Sequence, residues 1–284
     1  MPDLKPPPQD SIDADVQRAL AEDFGSGDVT ADLIDVDARA RARIVCRENA
    51  VIAGMPWAEA CFRALDPDAL IQWSCSDGDR LAADAVLCGI EGKARALVGA
   101  ERCALNFLQT LSATATVTRA YADAVVGTRA TVLDTRKTVP GLRIAQKYAV
   151  RCGGGANHRI GLYDAILIKE NHVAAAGGII PAVAKARTRH PALLLEVEVE
   201  TLDELAQALR AGADRVLLDD FTPDMLREAV ALTDGRAPLE VSGSVDLGRV
   251  RAIAECGVDY ISIGAITKNI RAIDLSMRFL QSGS

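Results

Sequence analysis

Residues 193–220 read LLLEVEVETLDELAQALRAGADRVLLDD, and they contain an apolar strand pattern, a helix pattern and a second apolar strand pattern. The runs 193–199 and 215–220 each have the length of one strand, and Thr201 is suited to cap the helix between them. Apolar strands that alternate with helices are typical of a parallel sheet buried on both faces. The stretch therefore predicts one β/α unit of such a sheet.

The same alternation continues on both sides of this stretch. Six short apolar runs recur along the second half of the chain, each followed by a helical or turn pattern. They are ATVLDT (130–135), DAILIK (164–169), LLLEVEV (193–199), RVLLDD (215–220), PLEVSG (238–243) and YISIGA (260–265). Six units favour a closed or nearly closed β/α barrel. A doubly wound open sheet is the alternative, although no GxGxxG turn follows the first strand.

The first third of the chain has a different pattern. Residues 41–54 and 69–99 indicate strands broken by Gly and Asp turns, and Pro56 is expected to open a helix that ends near Leu65. A long helical pattern then runs from Ala100 to about Val126. We expect a mixed α+β domain here, which precedes the barrel.

Composition excludes several classes of function. The 284 residues carry a formal net charge of -7, and aromatic residues make up only 4% of the chain. An acidic chain without a basic tail is a poor candidate for binding nucleic acid or a membrane surface. The seven cysteines are odd in number and form no CxxC pair, which indicates reduced thiols. No signal peptide or membrane-spanning pattern is present, so we expect a cytoplasmic protein.

Each predicted barrel strand ends in polar residues or glycine. In a β/α barrel the chemistry takes place at the carboxyl ends of the strands, so these residues are expected to form one site. In chain order they are Thr135-Arg136-Lys137, Lys169-Glu170-Asn171-His172, Glu198, Asp219-Asp220, Ser242-Gly243-Ser244 and Gly264-Ala265.

Positive charge is concentrated in residues 134–172. This segment has seven Lys or Arg and three acidic residues, a net charge of +4, so the other 245 residues sum to -11. A cationic cluster in an acidic chain attracts small anions, and Arg136 and Arg159 can each grip a carboxylate with two parallel N–H bonds. Arg143, Lys147 and Arg151 are spaced by four and are interpreted as charges on a solvated helix face.

Negative charge is concentrated in LEVEVE (195–200). On a strand, Glu196, Glu198 and Glu200 share one face, which in a barrel is the lumen. Buried carboxylates require cations or a metal, unless this is an edge strand with one solvated face. Glu198 and Asp219, at the ends of neighbouring strands, could together hold Mg²⁺ through oxygen ligands, with water retained.

The last two strands end in glycine-containing turns. Free backbone N–H groups in such turns form a common phosphate cradle in barrels, here at residues 242–244 and 264–265. His158 and His172 lie among charged strand-end residues and are expected to contact a ligand, whereas His190 precedes a proline and is expected in a loop. A cationic pocket, a carboxylate pair and a phosphate cradle suit the joining of a polycarboxylate to a phosphorylated, metal-bound sugar.

The segment DTRKTVPGLRIAQKYAVRCGGGANHRIGLYDAILIKENH (134–172), with EVEVE, VLLDDF, EVSGS and YISIGAIT, closely resembles the quinolinate phosphoribosyltransferase family, also called nicotinate-nucleotide pyrophosphorylase (carboxylating). The likeness is nearly full length, because LAEDFGSGDVT and ERCALNFLQTLS also match. It implies an N-terminal α+β sandwich domain over residues 1–112 and an incomplete α/β barrel over 113–269. The C-terminal tail, 270–284, is a candidate to pack on the first domain.

The resemblance implies an enzyme of NAD biosynthesis. Members convert quinolinate and phosphoribosyl pyrophosphate into nicotinate mononucleotide, pyrophosphate and CO₂ with Mg²⁺, as homodimers with a shared active site. The implied quinolinate ligands are Arg102 of the partner subunit with Thr135, Arg136, His158, Arg159 and Lys169. The implied ligands of phosphoribosyl pyrophosphate are Lys137, Ser242, Gly243, Ser244 and Gly264, and Lys137, Glu198 and Asp219 are the implied catalytic residues, the last two near the metal.

Two positions depart from the family pattern. The family usually has SGG where this chain has Ser242-Gly243-Ser244, and a Thr-His pair where it has Thr267-Lys268. Ser244 is expected to preserve phosphate binding if its dihedral angles are ordinary, and Lys268 removes any role of that histidine.

Two other functions are compatible with parts of the pattern. Lys169 at a strand end could be the nucleophile of a Schiff-base lyase. Accessory proteins of molybdate transport are related in sequence and would make the chain a non-enzymatic protein, although the KENH string favours an enzyme.

Overall fold

The computed structural model of the chain describes residues 4–280, and these form two compact units. Unit 1 consists of the described parts of 1–119, 139–154 and 269–284, and unit 2 consists of 120–138 and 155–268. The domain boundary expected after residue 112 stays a prediction. Residues 281–284 of the expected C-terminal tail lie outside the described residues.

Unit 1 is a mixed α+β structure built on antiparallel strands. Its helices are α1 (Gln9–Phe24), α2 (Met55–Leu65), α3 (Ala94–Ala124, which ends in unit 2) and α4 (Arg143–Cys152), with a 3₁₀ turn at Ala31–Leu33. Its strands are β1 (Arg39–Cys46), β2 (Ala50–Val51), β3 (Leu70–Trp73), β4 (Arg80–Leu81), β5 (Val86–Lys93) and β12 (Leu275–Phe279). The main sheet has the order β12-β1-β5-β3, and β2 pairs with β4. The expected strands around residues 41–54 and 69–93 and the helix opened by Pro56 are confirmed.

The expectation that residues 94–99 continue a strand is wrong, because α3 already begins at Ala94. Ala94, Leu97 and Ala100 are buried at helical spacing, so this short apolar run extends the long helix rather than the strand before it. Among residues 4–280, no helix combines the length and the apolar character needed to cross a membrane.

The expectation that Lys147 lies on a solvated helix face is also wrong. Its side chain is 3% exposed, and all residues from 145 to 150 are buried. Neighbours cover α4 on several sides, and a spacing of four along the sequence does not reveal this.

Unit 2 contains the predicted β/α units. Its strands are β6 (Thr131–Leu133), β7 (Ile166–Ile168), β8 (Leu195–Val199), β9 (Arg215–Asp219), β10 (Leu239–Ser242) and β11 (Tyr260–Ser262). Its helices are α5 (Glu170–Ala176), α6 (Ile179–Arg189), α7 (Leu202–Ala211), α8 (Pro223–Thr233), α9 (Val250–Glu255) and α10 (Ala265–Lys268). Each of the six strands lies inside the run that predicted it.

The six strands pair in parallel in the order β6-β11-β10-β9-β8-β7. Strands consecutive in sequence are neighbours from β7 to β11, and β11 returns to β6, so the order is a ring with one missing link. A doubly wound sheet would instead place its first strands in the middle. The fold is therefore an incomplete β/α barrel, and the gap between β6 and β7 is partly filled by Ala156, which forms a parallel bridge with Leu133.

The pairing register decides which side chains share a face. Glu196 is opposite Arg215, Leu217 is opposite both Glu198 and Glu240, and Glu240 is opposite Tyr260. Directly paired residues point to the same side of a sheet, and along one strand every second residue does so. The charged and polar residues of β6 and of β8 to β11 thus lie on one face, which is the interior of the barrel.

The helix between β8 and β9 begins with a reciprocal cap. The Glu204 N–H donates to Thr201 Oγ1 at 3.2 Å, and Glu204 Oε2 accepts from the N–H of Thr201 at 3.2 Å. This pair satisfies N–H groups that have no partner within the helix. The predicted capping role of Thr201 is confirmed.

We expect Thr201→Ala to lower the free energy of unfolding by about 1 kcal/mol, because one N–H of α7 loses its acceptor. Chemical denaturation followed by circular dichroism measures this change. The matched control is Thr188→Ala, which removes an exposed hydroxyl from within α6 and should change stability by less than about 0.5 kcal/mol. Equal losses in both variants would contradict the capping role.

Candidate active site

The polar residues inside the barrel lie at two levels. The outer level, at the carboxyl ends of the strands, consists of Thr135, Lys169, Glu198, Asp219, Ser242 and Gly264. The inner level consists of inward-facing residues two or four positions earlier on the strands. It includes Glu196, Arg215, Glu240, Tyr260 and Ser262. The strand ends that were expected to form one site therefore share one face and one edge of the sheet.

Two contacts link neighbouring strands at the outer level. The Lys169 ammonium contacts Glu198 Oε2 in an ion pair between β7 and β8. Ser242 Oγ donates to Asp219 Oδ1 at 2.5 Å, which links β10 to β9. The carboxylates of Glu198 and Asp219 thus each have a donor from the strand on one side.

The backbone of Lys169 is fixed by His172. The Lys169 N–H donates to His172 Nδ1 at 3.1 Å, so this histidine caps the start of α5. The ring is exposed. Its observed contact is therefore with the residue that carries the ammonium group, and its expected contact with a ligand stays a prediction.

Lys137 connects the first strand of the ring to the last. The Lys137 N–H donates to Thr135 Oγ1 at 3.0 Å, and the Lys137 carbonyl accepts from Thr267 Oγ1 at 2.8 Å. A Cβ atom on Gly264 would lie 2.9 Å from Lys137 Cδ. Glycine at 264 therefore leaves the room in which the aliphatic part of the lysine lies, and the ammonium is exposed beyond it.

Arg136 and Arg159 form a partly buried pair of like charges. Burial and the positive charge of Arg136 lower the pKa of Arg159. The negative charges of Glu196 and Asp164 act in the opposite direction on Arg159. Burying one cation beside another is unfavourable, and a further anion would offset this cost. The electrostatics of this edge therefore favour an anionic ligand.

The turn that carries His158 and Arg159 is anchored by Asp134. This buried carboxylate accepts from the His158 N–H at 2.9 Å and from the amide of Asn157 at 2.6 Å. The chain at 156–158 thus runs beside β6 and points the His158 ring into the barrel. The side chain of His158 is only 9% exposed.

The inner level is a closed cluster of charges. His158 Nε2 lies 2.9 Å from Glu196 Oε2 and 3.5 Å from Glu240 Oε2, and Arg215 Nη1 donates to Glu240 at 3.2 Å. The Arg215 guanidinium also stacks 4.2 Å from the centre of the Tyr260 ring. The three ligand-type groups of His158, Glu196 and Glu240 lie within 4.8 Å of one another, and Arg215 supplies a positive charge that balances them.

Burial determines the protonation of the two inner carboxyls. It raises the pKa of Glu196 to about 6, and burial together with the nearby Glu196 charge raises the pKa of Glu240 to about 7. Oε1 of each carboxyl is buried and has no hydrogen-bond partner among the described residues. Two negative charges this close in a buried site disfavour each other, so the neutral form of at least one carboxyl is favoured.

The expectation for EVEVE is confirmed for its first two glutamates. Glu196 is 1% exposed and meets His158, and Glu198 meets Lys169, while Val197 and Val199 on the other face are buried. Glu200 lies beyond the end of β8 and is exposed, so the expectation of a third carboxylate in the barrel is wrong. The strand ends before this residue.

The turn after β10 has unusual backbone angles. Gly243 has φ +96°, and a Cβ atom there would lie 2.0 Å from Asp220 Oδ1. Ser244 has φ +35°, in the left-handed region that favours glycine. The condition placed on Ser244, ordinary dihedral angles, is therefore not met, and the phosphate cradle would contain a strained residue.

Two residues named from the sequence are exposed, and no side-chain contact that the structure gives for the described residues joins them to the outer level. Arg102 is exposed on α3 in unit 1, and Lys268 is exposed at the end of α10. His190 follows the last residue of α6, as expected for a loop residue.

Sequence reasoning missed three members of the site. They are Asp134, Arg215 and Glu240, charged residues that flank or interrupt apolar strand runs. The sequence pattern was not used to assign them to the site. Spacing along the strand could have identified two of them. Arg215 is four residues before Asp219 and Glu240 is two before Ser242, and residues an even number apart on a strand point to the same face.

Residues 28–112 match the family described as quinolinate phosphoribosyl transferase, N-terminal domain, and residues 114–278 match its C-terminal domain. The chain is 39% identical over 298 residues to quinolinate phosphoribosyltransferase [decarboxylating] 1b of Nicotiana tabacum, covering 97% of this chain and 85% of that protein. It is 40% identical over 280 residues to a probable nicotinate-nucleotide pyrophosphorylase [carboxylating] of Synechocystis sp., with 97% and 95% covered. The solved nicotinate-nucleotide pyrophosphorylase of Francisella tularensis superimposes with a TM-score of 0.92 at 46% identity, covering 96% of this chain and 97% of that one.

We expect Ser244→Gly to raise the free energy of unfolding by about 0.5–1 kcal/mol, because glycine adopts a positive φ without the clash of a Cβ atom. Thermal and chemical unfolding both measure the gain. Ser244→Ala keeps the Cβ atom and should give no such gain. An alanine variant as stable as the glycine variant would show that strain at this position is absent.

We expect Glu240→Gln to become progressively more stable than the wild type as the pH rises. The folded-state pKa of about 7 lies above the ordinary 4.5, so the stability contributed by this group is complete below about pH 4.5 and is lost as the pH rises through 7. Glutamine stays neutral, and the difference in free energy of unfolding should shift by roughly 1–2 kcal/mol in its favour between about pH 5 and about pH 8. Denaturation at several pH values tests this, and a difference independent of pH would contradict it.

Proposed function

This chain belongs to the quinolinate phosphoribosyltransferase family, and from that premise we propose how its residues divide the work of the reaction. The enzyme transfers the phosphoribosyl group of phosphoribosyl pyrophosphate to quinolinate with loss of CO₂, in NAD biosynthesis. The products are nicotinate mononucleotide, pyrophosphate and CO₂. The observation that carries the assignment of roles is the partly buried Arg159 with the like charge of Arg136 near it, together with the ion pair of Lys169 and Glu198 at the strand ends.

We assign the quinolinate carboxylates to the cations of the outer level. Each arginine offers a planar pair of N–H donors that matches a carboxylate, and Lys169 adds a point charge. Thr135 completes the set of residues around the ring, and His158 contributes to it through Arg159, whose backbone N–H donates to the His158 ring. A bound carboxylate would place a further anion beside Arg159, whose pKa is lowered by burial and by the charge of Arg136.

Lys169 also controls the charge of Glu198. Without substrate the ammonium neutralises that carboxylate in an ion pair. When quinolinate binds, the Lys169 ammonium also pairs with the substrate. The negative charge of Glu198 is then less neutralised and acts more strongly on the ribose. Binding of the acceptor and activation of the donor are coupled in this way.

We assign phosphoribosyl pyrophosphate to the opposite side of the edge. Lys137 contacts the pyrophosphate, while Ser242, Gly243, Ser244 and Gly264 hold the 5-phosphate by backbone N–H and hydroxyl groups. Glu198 and Asp219 would hold Mg²⁺ directly or through water, and their partly exposed oxygen donors fit a hard cation. When bound, Mg²⁺ neutralises charge on the departing pyrophosphate.

The carboxylates act on the reacting sugar. As the pyrophosphate leaves, positive charge develops on C1 of the ribose, and Glu198 and Asp219 stabilise it electrostatically. Arg136, Arg159 and Lys169 hold the quinolinate nitrogen toward that carbon, which lowers the entropic part of the barrier. After the bond forms, the pyridinium nitrogen accepts the electron pair released when the adjacent carboxylate leaves as CO₂.

We further propose a homodimer in which the partner's Arg102 completes the quinolinate site. The exposure of Arg102 on α3 supports this arrangement, because an exposed guanidinium is accessible to a partner subunit. A cytoplasmic location is supported by the seven cysteines, which are all free thiols.

We expect purified protein to release CO₂ from carboxyl-labelled quinolinate only when phosphoribosyl pyrophosphate and Mg²⁺ are present. Arg136→Ala and Lys169→Ala should each raise the quinolinate KM by about tenfold or more, because a charge-assisted carboxylate contact is lost. Steady-state kinetics with each substrate varied separately measures the effect.

Arg227→Ala is the matched control, since this arginine is exposed on α8 and pairs with Asp224 on the same helix. It should leave both KM values unchanged. Near-normal quinolinate kinetics in both site variants would refute the assignment of the cations.

A further inference from the structure

The ring of His158 has both nitrogen atoms engaged inside the protein. The Arg159 N–H donates to Nδ1 at 2.8 Å, and Nε2 lies 2.9 Å from Glu196 Oε2. A backbone N–H can only donate, so Nδ1 is the unprotonated acceptor. Nε2 then carries the ring proton and donates it to Glu196.

A ring bonded in this way does not offer a nitrogen to a ligand. Nδ1 accepts from the backbone N–H of Arg159, and Nε2 faces Glu196 in the interior of the barrel. The contact of His158 that bears on substrate is therefore indirect, through the backbone position of Arg159.

The inner cluster fixes the ring from below. Glu196 and Glu240 are 1% and 0% exposed, and both approach Nε2 of His158. Arg215 holds Glu240 and is itself packed on the Tyr260 ring. Buried, mutually bonded side chains of this kind have one arrangement, so the position of the imidazole is set by β8, β9 and β10 together.

Arg159 depends on this support. Among the described residues of unit 2, the Arg159 side chain donates one hydrogen bond, from Nη1 to the carbonyl of Ala165 at 3.3 Å. The neighbouring positive charge of Arg136 repels it, and the charges of Glu196 and Asp164 attract it. The backbone of Arg159 is held by the bond of its N–H to His158 and by the next turn, where Asp164 accepts from the N–H groups of Ile160 and Gly161. These contacts limit where the guanidinium can lie.

We propose that Glu196, Glu240 and Arg215 are positioning residues that act through His158 to aim Arg159 at a quinolinate carboxylate. This inference rests on the proposed role of Arg159 in gripping quinolinate. It deepens that role, because it connects a buried charge cluster that does not touch the substrate to recognition of the acid.

The first test is a double-mutant cycle between Glu240 and Arg159. Glu240→Met removes one carboxylate while Arg215 keeps Glu196 as its counter-charge, since these two residues are directly opposite each other on β9 and β8. We expect the quinolinate KM to rise by about tenfold or more, because displacements of about 1 Å can cost about a hundredfold. The KM for phosphoribosyl pyrophosphate should change by less than about twofold.

The same substitution in an Arg159→Ala background should have no further effect on the quinolinate KM, because the residue through which it acts is gone. Glu240→Gln keeps the shape and a hydrogen-bonding group, and should restore a KM close to that of the wild type. The matched control is Asp66→Asn, which changes a fully buried carboxylate in unit 1 and should leave the quinolinate KM unchanged.

Two kinetic results overturn the inference. One is an equal rise of the quinolinate KM from Glu240→Met in both backgrounds, and the other is a parallel rise of both substrate KM values. If Arg159→Ala alone leaves the quinolinate KM unchanged, the proposed role of Arg159 fails, and the inference fails with it. This third result is recognised without reference to Glu240.

The second test uses the wild-type protein and does not depend on a variant's folding. The chain has only three histidines, so nitrogen-15 labelling of histidine gives few signals, which His172→Asn and His190→Asn assign by elimination. We expect the His158 signals of a neutral ring with the proton on Nε2, and we expect them to persist when quinolinate is added. A change of tautomer or protonation on quinolinate binding would show that the ring itself grips the substrate.

Discussion

The structure of unit 2 depends on the in-register pairing of six parallel strands. Pairing sets the side-chain parity of one strand against the next, so a single choice of register decides which residues of all six strands face inward. Thr135, Lys169, Glu198, Asp219, Ser242 and Gly264 meet at one edge because they share this parity. A slip by one residue in one strand would remove its member from the site and bury an outward-facing residue instead.

Charge is distributed along the barrel in a way that the register makes possible. Acidic and basic groups at the inner level compensate one another, since Arg215 faces Glu240 and Glu196 faces His158. At the outer level Lys169 neutralises Glu198, whereas the positive charge of Arg136 lowers the pKa of Arg159. The charged groups of the inner level thus pair with one another, and we propose that a substrate anion pairs with the cations of the outer level.

Much of this was predictable from sequence, and the failures have physical causes. The six strands and their polar ends follow from apolar periodicity, and Glu196 and Glu198 follow from alternation along a single strand. Ala94 to Gly99 was misassigned because a short apolar run fits a strand and a helix equally well. Lys147 was misplaced because burial of α4 depends on what packs around it. The contacts of His158 could not be predicted, since Glu196 and Glu240 are 38 and 82 positions further along the chain.

The path of the chain has a consequence for how the protein can be divided. After β6 the chain leaves unit 2 at residue 138, forms α4 within unit 1, and returns at residue 155. Each unit is therefore assembled from separate stretches of polypeptide, and no single cut in the gene yields either one whole. Recombination between homologous genes is expected to exchange segments of both units at once. Unit 1 and unit 2 are therefore expected to be inherited together.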